Sequence, residues 1–268
     1  MAFFIDEMTV KEMQEAINVT KTVILPIGVV EQHGFHLPLS TDFHNANEVP
    51  RRAGKRLNAI VAPTVPYCYS GGELVGTINV SPQVFSLLIM DICLEFVRLG
   101  FKDIVIFLGH GGTDNHVALN NCLQIIMKRM PETSDVTFSM IEVYNLSKTW
   151  QQYFTMEPQH DFHAGLVETS LMKYWKPELV KDEIVMDDFD IAESMRTDQD
   201  WFELSEKSFD HNFIIPKKHQ RKEIKIGVMG FPERASVKIG EIICNELVDG
   251  LVEYVALLNN RRSDSYAK

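Results

Sequence analysis

The 268-residue sequence predicts an α/β fold, a three-layer α/β/α sandwich on a mostly parallel central sheet. Three observations predict it. Short runs of β-branched and aliphatic residues alternate with longer segments of helical spacing. The two clearest runs, 22–30 and 103–108, are apolar almost throughout, as strands covered on both faces are. Each of those runs feeds directly into a loop that carries histidines, and strand ends at the carboxyl edge are where α/β proteins place their chemistry.

The elements follow in order. Thr22 to Val30 reads as a buried central strand, Asn45 to Leu57 as a helix with spaced apolar positions, and Ala59 to Pro63 as a short strand. Ser81 and Pro82 open a helix as N-cap and first-turn residue, and Gly100 stops it. Asp103 to Leu108 is a strand, about 115–130 a helix, and Val136 to Val143 a further strand. His163 to Trp175 reads as helical, Lys225 to Met229 as another strand, and Ser236 to Leu258 as a long amphipathic helix. The segment from Lys181 to Lys222 stands apart: it is acidic from Asp182 to Asp210, then basic from Lys217 to Lys222, with Trp201, Phe202, Phe209 and Phe213 among the charges. It reads as a charged insertion packed on the body, or as a lid or subunit contact.

With 45% hydrophobic residues and no Pro/Gly/Ser-rich linker, residues 1–268 read as one domain with its own core. A formal net charge of -11 argues against nucleic acid and against an anionic membrane surface. It leaves room for a small neutral or cationic substrate. Cys68, Cys93, Cys122 and Cys244 are scattered, form no Cys-x-x-Cys pair, and read as reduced thiols. The first residues lack the basic start and apolar stretch of a signal peptide, and no apolar run approaches the roughly 20 residues that span a bilayer. The expectation is a soluble, cytoplasmic protein.

The chemistry concentrates in three loops. The first brings Glu31, His33, His36 and Asp42 within twelve residues of one another. If the chain stays extended, Glu31 and His33, two apart, point to the same side. The second is Gly109-His110-Gly111-Gly112, and the third runs from His163 to Glu168. Imidazole and carboxylate together suit zinc, manganese or iron. Glu31, His33, Asp42, His110 and Glu168 make enough ligands for two metals sharing a carboxylate, an arrangement that activates water and polarises a carbonyl. Other readings stay open at this point. A Glu-x-His pair also occurs in surface loops, Gly-His-Gly-Gly could be a phosphate-cradling turn, and His163 and Glu168 could be helix-terminus charges.

The stretch Glu31-Gln32-His33-Gly34-Phe35-His36-Leu37-Pro38-Leu39-Ser40-Thr41-Asp42 resembles the Glu-Gln-His-Gly-x-His-Leu-Pro-Leu-x-Thr-Asp signature of the creatininase (creatinine amidohydrolase) family. The loop at 109–112 resembles that family's Asn-Gly-His-Gly-Gly-Asn loop, and His163-Ala164-Gly165 through Glu168-Thr169 its His-Ala-Gly-x-x-Glu-Thr element. Gly76-Thr77-Ile78 and the joint from Gly227 through Gly240 extend the likeness to the last helix. The resemblance implies the three-layer fold and two divalent metal ions per subunit, zinc first, with manganese or iron as alternatives. It implies Asp42 as the bridge, Glu31 and His110 completing one site, and His33 and Glu168 the other. Glu168 would replace a glutamate that creatininase carries where this chain has Gly112. His163 would be the catalytic proton shuttle. A homo-oligomer, commonly a hexamer, belongs to the same implication.

The sequence departs from the pattern where substrate would be held. Leu108 replaces the Asn before the Gly-His pair, and Thr113 and Asp114 are additional. The segment Tyr69 to Gly76 is short and lacks a histidine, and Met229-Gly230-Phe231-Pro232 replaces Gly-Asp-Pro. These changes point away from creatinine itself. His36 and His44 read as outer or surface histidines, and Trp150 and Tyr153 as core residues or pocket lining. The function expected is a metal-dependent amidohydrolase cleaving a C–N bond of a cyclic or small amide. The alternatives are C–C hydrolysis of a cyclic diketone or keto-inositol, or a metal-bound assembly protein without catalysis.

Overall fold

The computed structural model describes residues 3–157 and 159–266, without the side chains of 263–266; the other positions of the 1–268 span lie outside the described residues. Strand β1 (Phe3–Phe4) precedes helix α1 (Val10–Val19). That helix starts at a capping box in which Thr9 and Glu12 satisfy each other's backbone N–H groups. Strand β2 (Thr22–Ile27), helix α2 (Thr41–Ala53) and strand β3 (Ile60–Val61) follow. Helix α3 (Pro82–Arg98) has Ser81 as N-cap and Pro82 in its first turn, and Gly100 beyond its end takes φ 91°. Next come β4 (Asp103–Leu108), α4 (Thr113–Arg129), β5 (Thr137–Glu142), α5 (Lys148–Phe154) and α6 (Leu166–Trp175). Helix α7 (Phe189–Thr197), strands β6 (Glu203–Glu206) and β7 (Lys217–Gln220), and the long helix α8 (Val237–Tyr266) complete the order.

The main sheet runs β1-β3-β2-β4-β5, and every pair in it is parallel. Strands β2 and β4 are buried along their full length, so they carry apolar residues on both faces. Their side chains alternate between two cores. Ile24, Val105 and Phe107 enter the core shared with α2, α6 and α8. Val23, Leu25, Ile104 and Ile106 enter the core shared with α1, α3 and α4. Two helical layers on one parallel sheet give the three-layer architecture. Burying one such side chain contributes about 1.5–3 kcal/mol relative to leaving it in water.

Several elements begin or end elsewhere than the sequence pattern suggests: α6 starts at Leu166, leaving His163 in the loop before it, and α8 runs on to Tyr266 rather than stopping at Leu258. Strand β2 ends at Ile27 rather than Val30, and Gly28 just beyond it lies so close to α2 that a Cβ there would sit 2.5 Å from Phe43 Cα. Helix α2 begins at Thr41, not Asn45, which puts Asp42 in a first helical turn instead of a loop. The expected strand at Lys225 to Met229 does not form. Asp187 accepts the N–H groups of Lys225, Ile226 and Gly227, and Gly227 takes φ 76°, which breaks an extended run. Among the described residues no helix is long and apolar enough to cross a membrane.

The 181–222 segment holds α7 and the antiparallel β6–β7 hairpin. Met195 packs against Ile224 and Met229 in a small third core with Phe162, Trp201 and Phe202 at its edge. Arg221 fastens the hairpin base, its guanidinium 4.4 Å over the Trp201 ring and its Nε donating to the Trp201 carbonyl. The hairpin tip exposes Phe209, Phe213 and Ile215. Because Asp187 is buried and satisfies three backbone donors at once, Asp187→Ala is expected to lower stability by about 3 kcal/mol. Asp187→Asn, which keeps one acceptor oxygen, should fall between. Urea unfolding checks this, and equal stability of Ala and wild type would refute the assigned role.

Candidate metal centre

The parallel sheet delivers its carboxyl edge to one place. Glu31 and His33 follow β2, and His110 follows β4. Asp42 and Glu168 sit in the first turns of α2 and α6. Close approach makes this convergence work: a Cβ on Gly109 would lie 2.3 Å from the Asp42 carbonyl oxygen and 2.6 Å from Ala46 N. Only glycine lets the β4 turn rest against α2, and that contact sets Asp42 beside His110.

Asp42 divides its two oxygens. Its Oδ2 is 3.4 Å from His110 Nδ1, which is 3.2 Å from Glu31 Oε2. Its Oδ1 is 3.7 Å from His33 Nε2, which is 3.5 Å from Glu168 Oε2. The ligand-type atoms of Glu31, Asp42 and His110 lie within 4.8 Å of one another, as do those of His33, Asp42 and Glu168, and those of Glu31, His33 and His163. All five carboxylate and imidazole residues singled out in the sequence are therefore together, with His163 alongside. Its ring centroid is 4.2 Å from that of His33, and its Nε2 donates to the Gln32 carbonyl at 2.7 Å.

These groups suit a cation. Glu31 Oε2, His33 Nε2 and Asp42 Oδ2 are buried and make no hydrogen bond, although they face other polar atoms at 3.2–3.7 Å. Ligands about 2.1 Å from a tetrahedral zinc are about 3.4 Å apart, which is the spacing found. The donor set is oxygen and imidazole nitrogen, with no cysteine in either group. Burial by itself would raise the Glu31 carboxyl, but the facing His110, His163 and His33 outweigh it and hold it well below the usual range. Burial would likewise lower His33 and His110; the carboxylates of Asp42 and Glu168 around His33, and of Glu31 and Asp42 around His110, instead hold both well above theirs. The cluster thus carries buried negative charge that calls for protons or a cation.

A second ring of groups fixes the first. His33 Nδ1 donates to the Glu31 carbonyl at 3.1 Å, which turns Nε2 inward. Asn45 Nδ2 donates to Glu168 Oε1, and Ala164 N to Glu168 Oε2 at 2.7 Å. Ala164 holds φ 53°, a conformation unfavourable for a residue with a Cβ, and this aims its N–H at the carboxylate. Ser70 Oγ donates to Glu31 Oε1 at 2.5 Å. Sequence reasoning missed Asn45, Ser70 and Gln32. Asn45 had a signal, since it lies three residues beyond Asp42 and so on the same face of α2. His36 is buried and bonded to Thr169, and burial with the neighbouring His33 pushes it down to about 4, so it is a neutral support. His44 pairs with Glu48 outside the cluster.

A cavity of about 570 Å³ opens over the cluster. Tyr144 and Phe154 stack along one side, centroids 5.4 Å apart and planes 8° from parallel, and Trp150 lines it too. Tyr153 belongs to the packing around the core. Met195, Asp200, Phe202 and Glu203 of the 181–222 segment also line it.

The creatininase family, described as creatinine amidohydrolase, matches residues 6–255. The creatinine amidohydrolase of Pseudomonas putida is 26% identical over 197 residues, covering 69% of this chain and 76% of that one. The mycofactocin precursor peptide peptidase of Mycolicibacterium smegmatis is 27% identical over 247 residues, covering 87% and 83%. A creatininase crystal structure superposes with TM-score 0.76 at 22% identity, covering 96% of this chain and 97% of that one. Other solved creatininases include a manganese form and a variant of Zn-Zn type.

The Gly109 contact yields a prediction. Gly109→Ala is expected to cost about 1–3 kcal/mol of stability, because the obstructing atoms are backbone and cannot rotate away. Thermal unfolding of the variant checks it; an unchanged midpoint would mean that β4 and α2 are not held as close as 2.3 Å implies.

Proposed function

The chain belongs to the creatininase family, and we propose that it is a metal-dependent hydrolase that cleaves an amide C–N bond. The observation that carries this reading is the split of Asp42, one oxygen toward Glu31 and His110, the other toward His33 and Glu168. In the proposed centre Glu31, Asp42 and His110 would hold one divalent cation, and His33, Asp42 and Glu168 would hold a second. Zinc is the first choice, with manganese next, since creatininase forms with both exist. Cations bound there supply an acidified water and electrostatic stabilisation of the carbonyl oxygen.

The chain's own residues do the rest. The Tyr144–Phe154 wall holds the planar amide over the cluster. His163, at the cavity wall beside His33, donates a proton to the departing nitrogen. Gln32 keeps that imidazole in place: its carbonyl accepts from Nε2, and its side-chain Nε2 stands 3.1 Å from the same atom. The cavity volume supports an amide larger than a small lactam, because about 570 Å³ is the room of a drug-sized ligand. Similarity over most of its length to a peptide peptidase favours a peptide amide within this class.

The test is metal analysis of the purified protein together with turnover of creatinine, small lactams, short peptides and cyclic polyol ketones. Two divalent ions per chain and amide cleavage are expected, with Asp42→Asn losing at least about a hundredfold in activity. Activity confined to the ketones would replace the amide reading with C–C cleavage, and absence of bound metal would end both.

Metal binding should also depend on pH with a defined sign. In metal-free protein the raised values of His33 and His110 make their protonation stabilising; that stabilisation is complete below the ordinary 6.5 and is lost as pH climbs through the raised values. Cation binding needs both rings neutral. Zinc affinity, and the gain in melting temperature on adding zinc, should therefore increase from about pH 6 to about pH 8. Affinity that is flat or falls over this interval would argue that the imidazoles are not ligands.

A further inference from the structure

The charged 181–222 segment reaches the proposed centre through one buried side chain. Gln220 closes β7, where it is buried while Lys217 and Lys218 face solvent. Its Oε1 accepts the N–H of Glu73 at 2.6 Å. Glu73 belongs to the loop that brings Ser70 to Glu31 Oε1. Within the loop, Gly72 N donates to Ser70 Oγ at 3.1 Å. Asn79 Oδ1 accepts from Ser70 N and Gly71 N, and Asn115 Oδ1 accepts from Tyr69 N. Ser70, Glu31 and Gln220 meet at Gly72: a Cβ placed there would lie 3.2 Å from Ser70 Oγ, 3.6 Å from Glu31 Oε1 and 3.9 Å from Gln220 Oε1. A path of hydrogen bonds and one covalent link therefore runs from the hairpin to the oxygen of Glu31 that faces away from His110.

We infer that Gln220 is a positioning residue for the Glu31–Asp42–His110 group, so that the hairpin sets how tightly this group, and not the His33–Asp42–Glu168 group, holds a cation. The inference rests on the proposed two-cation reading. Its physical basis is that a ligating carboxylate is oriented by what binds its second oxygen. Ser70 fills that role for Glu31, and Ser70 is only as fixed as its loop. Asn115 of α4 holds the loop at Tyr69 from the body of the protein, and Asn79, later in the same connection, holds Ser70 and Gly71. Gln220 holds the next residue, Glu73, from the outside. The other group takes its support from Asn45 and Ala164, which hold the two oxygens of Glu168.

The test uses the full chain stripped of metal and titrated with zinc alone, read by calorimetry or by competition with a chromophoric chelator. Wild type should show two binding steps, and Glu31→Gln identifies which of them belongs to the Glu31 group. Gln220→Leu, similar in size but without an acceptor, should weaken that step about tenfold and leave the other unchanged. Gln220→Glu, which keeps an oxygen for the Glu73 N–H, should restore it. Ser70→Ala should weaken the same step at least as much. Two wild-type-like steps in Gln220→Leu, or equal weakening of both, would overturn the inference while leaving the two-cation reading intact. Fewer than two steps in the wild type would instead bring down that reading and the inference with it.

Discussion

The constraint on which the rest depends is electrostatic. Three carboxylates, Glu31, Asp42 and Glu168, are buried, with Asp42 within 4.8 Å of each of the other two, and like charges in a low-dielectric interior repel strongly unless something positive lies between them. The protein sets two imidazoles among the acids and holds the carboxylates of Glu31 and Glu168 with donors from Ser70, Asn45 and Ala164. Glu31 Oε2, His33 Nε2 and Asp42 Oδ2 are left without hydrogen bonds. A polypeptide sustains such an arrangement only on a rigid frame. That frame is supplied by β2 and β4, the fully buried strands that pair over six residues each and end side by side at the cluster.

The same constraint explains the local irregularities. The early end of β2, the early start of α2, the tight turn at Gly109 and the left-handed Ala164 all lie where the chain leaves regular structure to place a ligand-type atom. Strain at such points persists because the surroundings over-determine it. Ala164 is held by its own N–H bond to Glu168. The neighbouring Gly165 packs tightly on Asp161, whose carboxylate accepts from Leu166, Val167 and Phe231. Stability stored in the sheet offsets local cost at its edge.

Much of this was legible in the sequence, and the parts that were not share a cause. Continuous apolar runs named β2 and β4, and Ser81, Pro82 and Gly100 bounded α3, because burial on both faces and helix capping are local signals. Glu31, His33 and Asp42 were legible because their spacing matches a long motif, and His110 and Glu168 because each sits in a shorter one. The Lys225 to Met229 run misled because β-propensity ignores a competitor 38 residues away, the Asp187 carboxylate that takes the backbone donors a ladder would need. Gln220 and Ser70 were invisible for a similar reason: a neutral side chain gains its role only from what the fold sets against it.

This division bears on how one centre serves different substrates. The ligand-type residues come from strand ends and first helical turns, where the backbone is fixed by the sheet. Part of the cavity wall comes from α7 and the β6–β7 hairpin, outside the main sheet and held by a small core of its own. Changes in the hairpin can therefore alter cavity size and charge without moving the sheet. They are not wholly free of the centre, however, because Gln220 ties the hairpin to the loop carrying Ser70. In the proposed enzyme a wall that bounds the substrate and is tied to the loop carrying Ser70 would couple shape selection to the electrostatics of the cluster.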